Sequence, residues 1–276
     1  MPQVLGLIAG EGIFPHLVAR GAKRAGQRVV CAALSGSAWD DLPSEVDEFK
    51  WVGTARLNQW IRYLKKHRVT EAIMVGRVLK TRMYSRWRYL RYIPDLRTAR
   101  LWLTEVRKDR RPRAMLNLIA RELASEGITL IDSTKYTQDQ LVSAGVLTQR
   151  QPTAAQMQDA NFGWMLCRRV SEMDIGQAIA VLAKDVIAVE ALEGTNAMIQ
   201  RAGELCKAGG WTLIKVANAE QDMRMDVPTI GVTTIEKLAE ARAGCIVLQV
   251  GKTVLLEREK VLKLADKHGI AVIGLE

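Results

Sequence analysis

The sequence lacks most of the residue groupings that announce a chemistry by themselves. Its four cysteines, Cys31, Cys167, Cys206 and Cys245, stand apart in apolar surroundings without a CxxC pair. That spacing excludes a zinc knuckle or a disulfide framework, and the four thiols are expected to be reduced and buried. The three histidines, His16, His67 and His268, have no partner at metal-binding spacing and read as structural. No Ser/His/Asp arrangement is legible. No apolar run approaches the roughly 20 residues that span a bilayer. The opening residues MPQVLGLIAGEGIFP have no positively charged start, and Gly-Glu-Gly stands where a cleavage site needs small neutral residues. They read as the first strand of a cytoplasmic protein.

What is present is a chain of 276 residues, 48% hydrophobic and carrying a formal charge of +10. That length accommodates one large or two modest domains, and two are expected. The charge favours an anionic partner. From Arg77 to Arg113, thirteen Lys and Arg face three acidic residues, Asp95, Glu105 and Asp109, with Tyr84, Trp87, Tyr89, Tyr92 and Trp102 between them. Basic residues interleaved with aromatics suit nucleic-acid stacking or the headgroup zone of an anionic membrane. They equally suit helices that turn Trp87, Leu101 and Trp102 to a core and their basic side to water.

Along the N-terminal half, VLGLIAG, RVVCAAL and EAIMVGR read as strands, and HLVARGAKRAG and ARLNQWIRYLKKH as helices, the latter with Leu57, Trp60, Ile61 and Leu64 on one face. This alternation predicts an α/β fold with a Rossmann-like parallel sheet over residues 1–131. Residues 132–161 are polar, lack sustained periodicity and are expected to be a linker. Residues 162–276 are expected to form a mixed α/β domain with β-hairpins, because QAIAVLAKDVIAVEAL and CIVLQVGKTVLLE each set two apolar runs around a short polar turn. A capping box from Thr233 to Glu236 opens one of its helices.

Four stretches could carry chemistry. In GLIAGEGIFP, Gly10 and Gly12 lie between strand and helix, fitting either close approach to a phosphate or a plain tight turn; the third glycine of a dinucleotide fingerprint and the Lys-Ser/Thr of a P-loop are missing. Asp174 and Gln177 in EMDIGQAIA, and Glu193 and Thr195 in EGTNAM, place polar groups at element ends, where sites and helix caps both occur. In EQDMRMDVPTIG, an extended chain would point Asp222, Arg224 and Asp226 to one side. Two carboxylates there could hold a hard cation and the guanidinium could fork onto a phosphate, or the three could neutralise one another on a solvated loop.

Taken in order, GLIAGEGIFP, MVGRV, DIGQAIAV, AVEALEGTNAMIQRAG, QDMRMDVPTIG and GKTVLL resemble the metal-dependent UDP-2,3-diacylglucosamine pyrophosphatases of the LpxI type, over nearly the whole chain. The resemblance implies a two-domain α/β hydrolase of lipid A biosynthesis. Such an enzyme cleaves the acylated UDP-sugar, with Mg²⁺ or Mn²⁺, into UMP and 2,3-diacylglucosamine 1-phosphate (lipid X). It further implies a homodimer. In such an enzyme the basic aromatic segment would rest on the anionic inner face of the cytoplasmic membrane and collect the acylated substrate. That ranks a nucleic-acid-binding protein below the enzyme, with no nucleic acid expected. Carried over by matching elements, Asp226 is the catalytic aspartate, assisted by Asp222 and Arg224. Asp226, Asp222, Asp174 and Glu193 are the implied metal ligands. Gly10, Gly12, Phe14, Pro15, Gln177, Thr195, Asn196, Gln221 and Thr229 are the implied substrate contacts. The chain departs from the family at Asn196, where an Asp is usual, and at Asn218 and Ala219, where Lys-Pro is usual. A binder of UDP-sugar without hydrolysis, or with altered specificity, is the alternative these departures raise.

Overall fold

The computed structural model describes residues 3–78, 93–109, 111–218, 222–225 and 227–276. The chain divides into two compact units, Met1–Thr137 with Met223–Met225 and Gln138–Asp222 with Asp226–Glu276. In the first unit, strands β1 (Val4–Ala9), β2 (Arg28–Leu34), β3 (Glu48–Val52), β4 (Glu71–Val75) and β5 (Thr129–Leu130) pair in the order β3-β2-β1-β4-β5, every described pairing parallel. Helix α1 (Phe14–Arg24) links β1 to β2 and α2 (Leu57–Lys66) links β3 to β4. The expected Rossmann-like sheet is therefore present. Leu57, Trp60, Ile61 and Leu64 are buried along one side of α2 as their spacing requires, and the Trp60 indole donates to Gly53 O at 2.8 Å.

Helix α3 (Leu96–Leu101) and helix α4 (Pro112–Ser125) complete this unit. Asp95 caps α3 by accepting from Thr98 N at 2.8 Å, and its second oxygen accepts from Asn58 N in the first turn of α2 at 2.7 Å. Glu126, just past α4, accepts from Lys65 Nζ at 2.8 Å and from Arg97 Nη2 at 2.6 Å, so one carboxylate joins α2, α3 and α4.

The second unit is built on strands β6 (Gly145–Val146), β7 (Ala178–Leu182), β8 (Asp185–Val189), β9 (Thr212–Lys215), β11 (Cys245–Gln249) and β13 (Ala271–Leu275), in the order β6-β13-β11-β9-β7-β8. The central β13, β11 and β9 run parallel, and the flanking strands antiparallel. Helix α5 (Ala154–Glu172) covers one face, where Ala160, Trp164 and Cys167 pack on Ile179, Ile214 and Val247. Helices α6 (Thr195–Leu205), α7 (Val232–Glu240) and α8 (Arg258–Lys267) cover the other with Met198, Ile199, Leu238 and Val261. The sheet is thus buried on both faces, which accounts for the near-continuous apolar runs of its inner strands. All four cysteines are buried, and burial pushes the Cys167 and Cys245 thiols up to about 12.

Three expectations need correction. The first of the two proposed hairpins exists, as β7 and β8 joined by Ala183 and Lys184, both at positive φ, with their amides held by the buried Asp159 carboxylate. The second does not. After Gly251 and Lys252 the chain enters β12 (Val254–Leu255), which pairs in parallel with β10 (Thr229–Ile230). Both edges of β11 are already occupied by β9 and β13, so no hydrogen-bonding edge remains for a hairpin partner. Nor does Thr233 cap α7, which starts one residue earlier with Gly231 at the N-cap. Finally, the segment expected as a linker contains β6 and the first two turns of α5. That helix opens with a reciprocal capping box in which Gln156 N donates to Thr153 Oγ1 at 3.2 Å and Thr153 N to Gln156 Oε1 at 2.9 Å.

The Glu126 junction makes the first unit acid-sensitive. Hydrogen bonds from Lys65 and Arg97 hold its carboxyl down at about 2, from an ordinary 4.5. A carboxylate whose folded pKa is depressed stabilises above its unfolded pKa, and loses that contribution as pH falls toward the folded one. Glu126→Gln should therefore lower the urea midpoint at pH 7, and the gap to wild type should close between pH 4.5 and pH 2. A gap that stays constant across that range would contradict the assignment.

Candidate active site

Lys215 is the last residue of β9 and lies opposite Ala178, the first of β7, while Glu190 N, just past β8, donates to Ala178 O at 2.8 Å. Residues directly opposed across a sheet point to the same face, so Lys215 and Glu190 flank Ala178 on the α6 side. Thr195, at the first position of α6, stands between them. Its hydroxyl accepts from Lys215 Nζ at 2.6 Å and donates to Glu190 Oε1 at 2.7 Å. The single hydroxyl proton fixes that polarity. Lys215 and Glu190 are 5% and 6% exposed, and Glu190 Oε2 is buried without a hydrogen-bond partner among the described residues. Removing two charges from water costs several kcal/mol each, so a buried Lys–Thr–Glu line at a strand end marks a place where charge is needed.

More polar groups gather at the same carboxyl edge of the second sheet. Asp174, at φ 56°, accepts from Asn218 Nδ2 at 3.3 Å. Ala217 N donates to Gln249 Oε1 at 2.9 Å, which ties the exit of β9 to the end of β11. The Gln177 side-chain oxygen is buried and lacks a hydrogen-bond partner among the described residues, while its backbone oxygen accepts from Val216 N. A cavity of about 230 Å³ opens here between Arg168, Ser171, Glu172, Asn218, Gln249 and Lys252, two of them cationic. Parallel strands direct their following loops to this edge, the usual place for ligands in such sheets.

Glu193 is engaged by Arg201 Nη2 at 2.6 Å and by Ala191 N at 3.1 Å, and its own amide first, then Arg201, holds its carboxyl below the ordinary range. Thr195 is inside the helix rather than capping it, since Gly194 occupies the N-cap. Asn196 follows it, exposed in the first turn, and Thr229 begins β10, half-buried. Gln221 and Asp226 lie outside the described residues. The extended alternation expected for Asp222, Arg224 and Asp226 is not observed, because residues 223–225 form a turn. Asp222 belongs to the second unit and Arg224 to the first. The cause is local. Met223 O accepts from both Ser133 N at 3.0 Å and Ser133 Oγ at 2.8 Å, and Met225 packs against the core of the first unit.

In the first unit, Gly10 is explained by packing. A Cβ there would stand 2.8 Å from the backbone of Gly76 and Arg77, where the ends of β1 and β4 converge. Gly12 has φ +110° and open space around it, as a turn residue requires. Phe14 and Pro15 are buried at the start of α1. Among the described residues, no three His, Cys, Asp or Glu side chains converge as a ready metal site. The orphaned oxygens of Glu190 and Gln177 are hard donors of the kind a divalent cation accepts.

Lys215 and Glu190 were missed from sequence alone. Their signal was a charge inside each of two apolar strand runs, TLIKVA and AVEAL.

Two family models cover the chain almost end to end, the LpxI N-terminal domain over residues 4–140 and the LpxI C-terminal domain over residues 143–273. A UDP-2,3-diacylglucosamine pyrophosphatase LpxI of Caulobacter vibrioides is 28% identical over 282 residues, spanning 99% of this chain and 97% of its own.

Replacing Thr195 by Val should remove both bridging hydrogen bonds, each made to a charged group, and lower stability by about 1.5–3 kcal/mol in urea unfolding. Thr195→Ser, which keeps the hydroxyl, should recover most of it. A loss in Thr195→Ser with none in Thr195→Val would mean that the methyl, not the hydroxyl, matters.

Proposed function

The chain belongs to the LpxI family, and we propose that it is the enzyme that hydrolyses the pyrophosphate of UDP-2,3-diacylglucosamine, releasing UMP and 2,3-diacylglucosamine 1-phosphate. The full-length likeness to the Caulobacter pyrophosphatase carries the reading. The second-unit site supports it chemically. Pyrophosphate cleavage needs positive charge held where the phosphoryl oxygens gain negative charge, and groups already fixed in place do this without reorganising. Lys215 is such a group, held by Thr195 and supported by Glu190, and Arg168 and Lys252 line the neighbouring cavity. Asp226 orients or deprotonates the attacking water.

A divalent cation, Mg²⁺ or Mn²⁺, would be held by Asp226 and Asp222, with Asp174 at the edge of the site. Bound there it would polarise the phosphoryl oxygens and favour departure of UMP. Glu193, already paired with Arg201, is the weakest of the implied ligands.

The acylated substrate makes contact with an anionic membrane surface part of the proposal. No helix among the described residues is long and apolar enough to cross a membrane. In the first unit, however, Leu96 and Leu103 are 92% and 63% exposed and Trp102 is also exposed, beside Arg100, Arg107 and Lys108. Exposed apolar side chains rimmed by cations suit the headgroup region, and they disfavour the reading in which Trp102 fills a core. Trp87 and the basic run through residues 79–92 lie outside the described residues.

Purified protein incubated with UDP-2,3-diacylglucosamine and Mg²⁺ or Mn²⁺ should release UMP, and EDTA should stop the release. Asp226→Ala should lower kcat by about 10²-fold or more, and Lys215→Met by a comparable factor. Failure of the wild-type protein to form UMP with either metal would overturn the proposal. Binding without turnover would instead identify a sensor.

A further inference from the structure

The first unit holds a cavity of about 610 Å³ that the proposed chemistry leaves unused, lined by Glu11, Ser35, Gly36, Ser37, Ala38, Trp39, Asp40 and Trp51. Its volume falls within the roughly 300–1,000 Å³ typical of small-molecule sites. It lies where Glu11 follows β1, where the Ser35–Asp40 turn follows β2, and against Trp51 near the end of β3. Nucleotides bind at this carboxyl edge in parallel sheets of this order.

Its two indoles are the telling feature. Trp39 is 42% exposed and Trp51 38% exposed, yet each is braced by another ring. The buried His16 imidazole lies 5.5 Å from Trp39, and Phe49 meets Trp51 edge-on at 5.0 Å. His16 is itself held by Asp41 at 3.0 Å. The turn that carries Trp39 is fixed by Ser37 N and Ala38 N, which both donate to Leu34 O. Large aromatic faces held in place and left open to a polar cavity are poised to stack on a planar ring. The rest of the lining decides which part of a ligand enters. Ser35, Ser37, Glu11 and Asp40 offer hydroxyls and carboxylates, and no Lys or Arg is among the described lining residues, although the chain is strongly basic. A phosphate inside the cavity would be repelled, so that of UMP has to stay outside it. A neutral base with a hydroxyl-bearing sugar would be accepted, because carboxylates at this edge take hydrogen bonds from ribose.

We propose that this cavity is a nucleoside pocket, in which a pyrimidine base rests on Trp39 or Trp51 while ribose hydroxyls meet Ser35, Ser37 and a carboxylate of Glu11 or Asp40. The choice of pyrimidine rests on the function proposed above; the pocket itself does not.

Calorimetric titration of the full chain with uridine, UMP and glucosamine 1-phosphate tests this. Uridine and UMP should bind, and Trp39→Ala or Trp51→Ala should weaken both by roughly tenfold or more, the size of one base-stacking contact. Trp39→Phe and Trp51→Phe should retain most of the affinity, which separates loss of stacking from loss of fold. Nucleoside affinity unchanged in the double Ala variant would overturn the proposal, as would loss of glucosamine 1-phosphate binding in place of uridine. The hydrolysis assay keeps the two readings apart. Turnover of UDP-2,3-diacylglucosamine with an unaltered KM in the double variant would sink the pocket alone. A Trp-dependent uridine affinity in a protein that hydrolyses nothing would sink the pyrophosphatase reading alone.

Discussion

Parallel strand pairing is the constraint from which both units take their organisation. A parallel neighbour must be entered from the same end as the strand before it, so the chain has to return along a helix, and the loops that leave the strands collect at one edge. In the first unit this brings the Gly10–Gly12 turn, the Ser35–Asp40 turn and Trp51 to the carboxyl edge of β1, β2 and β3. In the second unit β9 and β11 deliver Lys215, Asn218 and Gln249 to the corresponding edge. The antiparallel β7 and β8 bring Gln177 and Glu190 to the same edge, since one begins and the other ends there.

The two edges differ in charge. The second-unit edge holds a buried ammonium fixed by Thr195, with Arg168 and Lys252 around a neighbouring cavity. The first-unit cavity is lined by hydroxyls, carboxylates and indoles. The buried Lys–Thr–Glu line is costly for a fold that needed only stability, because an apolar trio of similar size would avoid the desolvation.

Much of this was legible in the sequence. The apolar spacing of α2 and the alternation of β1, α1 and β2 follow from periodicities that local geometry enforces. Other elements were legible but overlooked, such as the Thr153–Gln156 capping box that opens α5 inside a stretch read as a linker. The CIVLQVGKTVLLE segment has the pattern of a hairpin, and nothing local to it says otherwise. Only the occupation of both β11 edges by β9 and β13 rules the hairpin out.

The site divides in the same way. Residue order alone identified the family, because motif order along a chain is independent of how the chain folds. What the fold decided was partnership. Thr195 could be read as a helix cap until Lys215 and Glu190 approached it from two different strands. Asp222 and Arg224, two residues apart, fall in different units because Ser133 and the first-unit core draw Met223 and Met225 into a turn. Trp39 and Trp51 flank one cavity although twelve positions separate them. Sequence fixes which side chains are available and how each segment prefers to run, whereas long-range pairing alone decides which of them share a space.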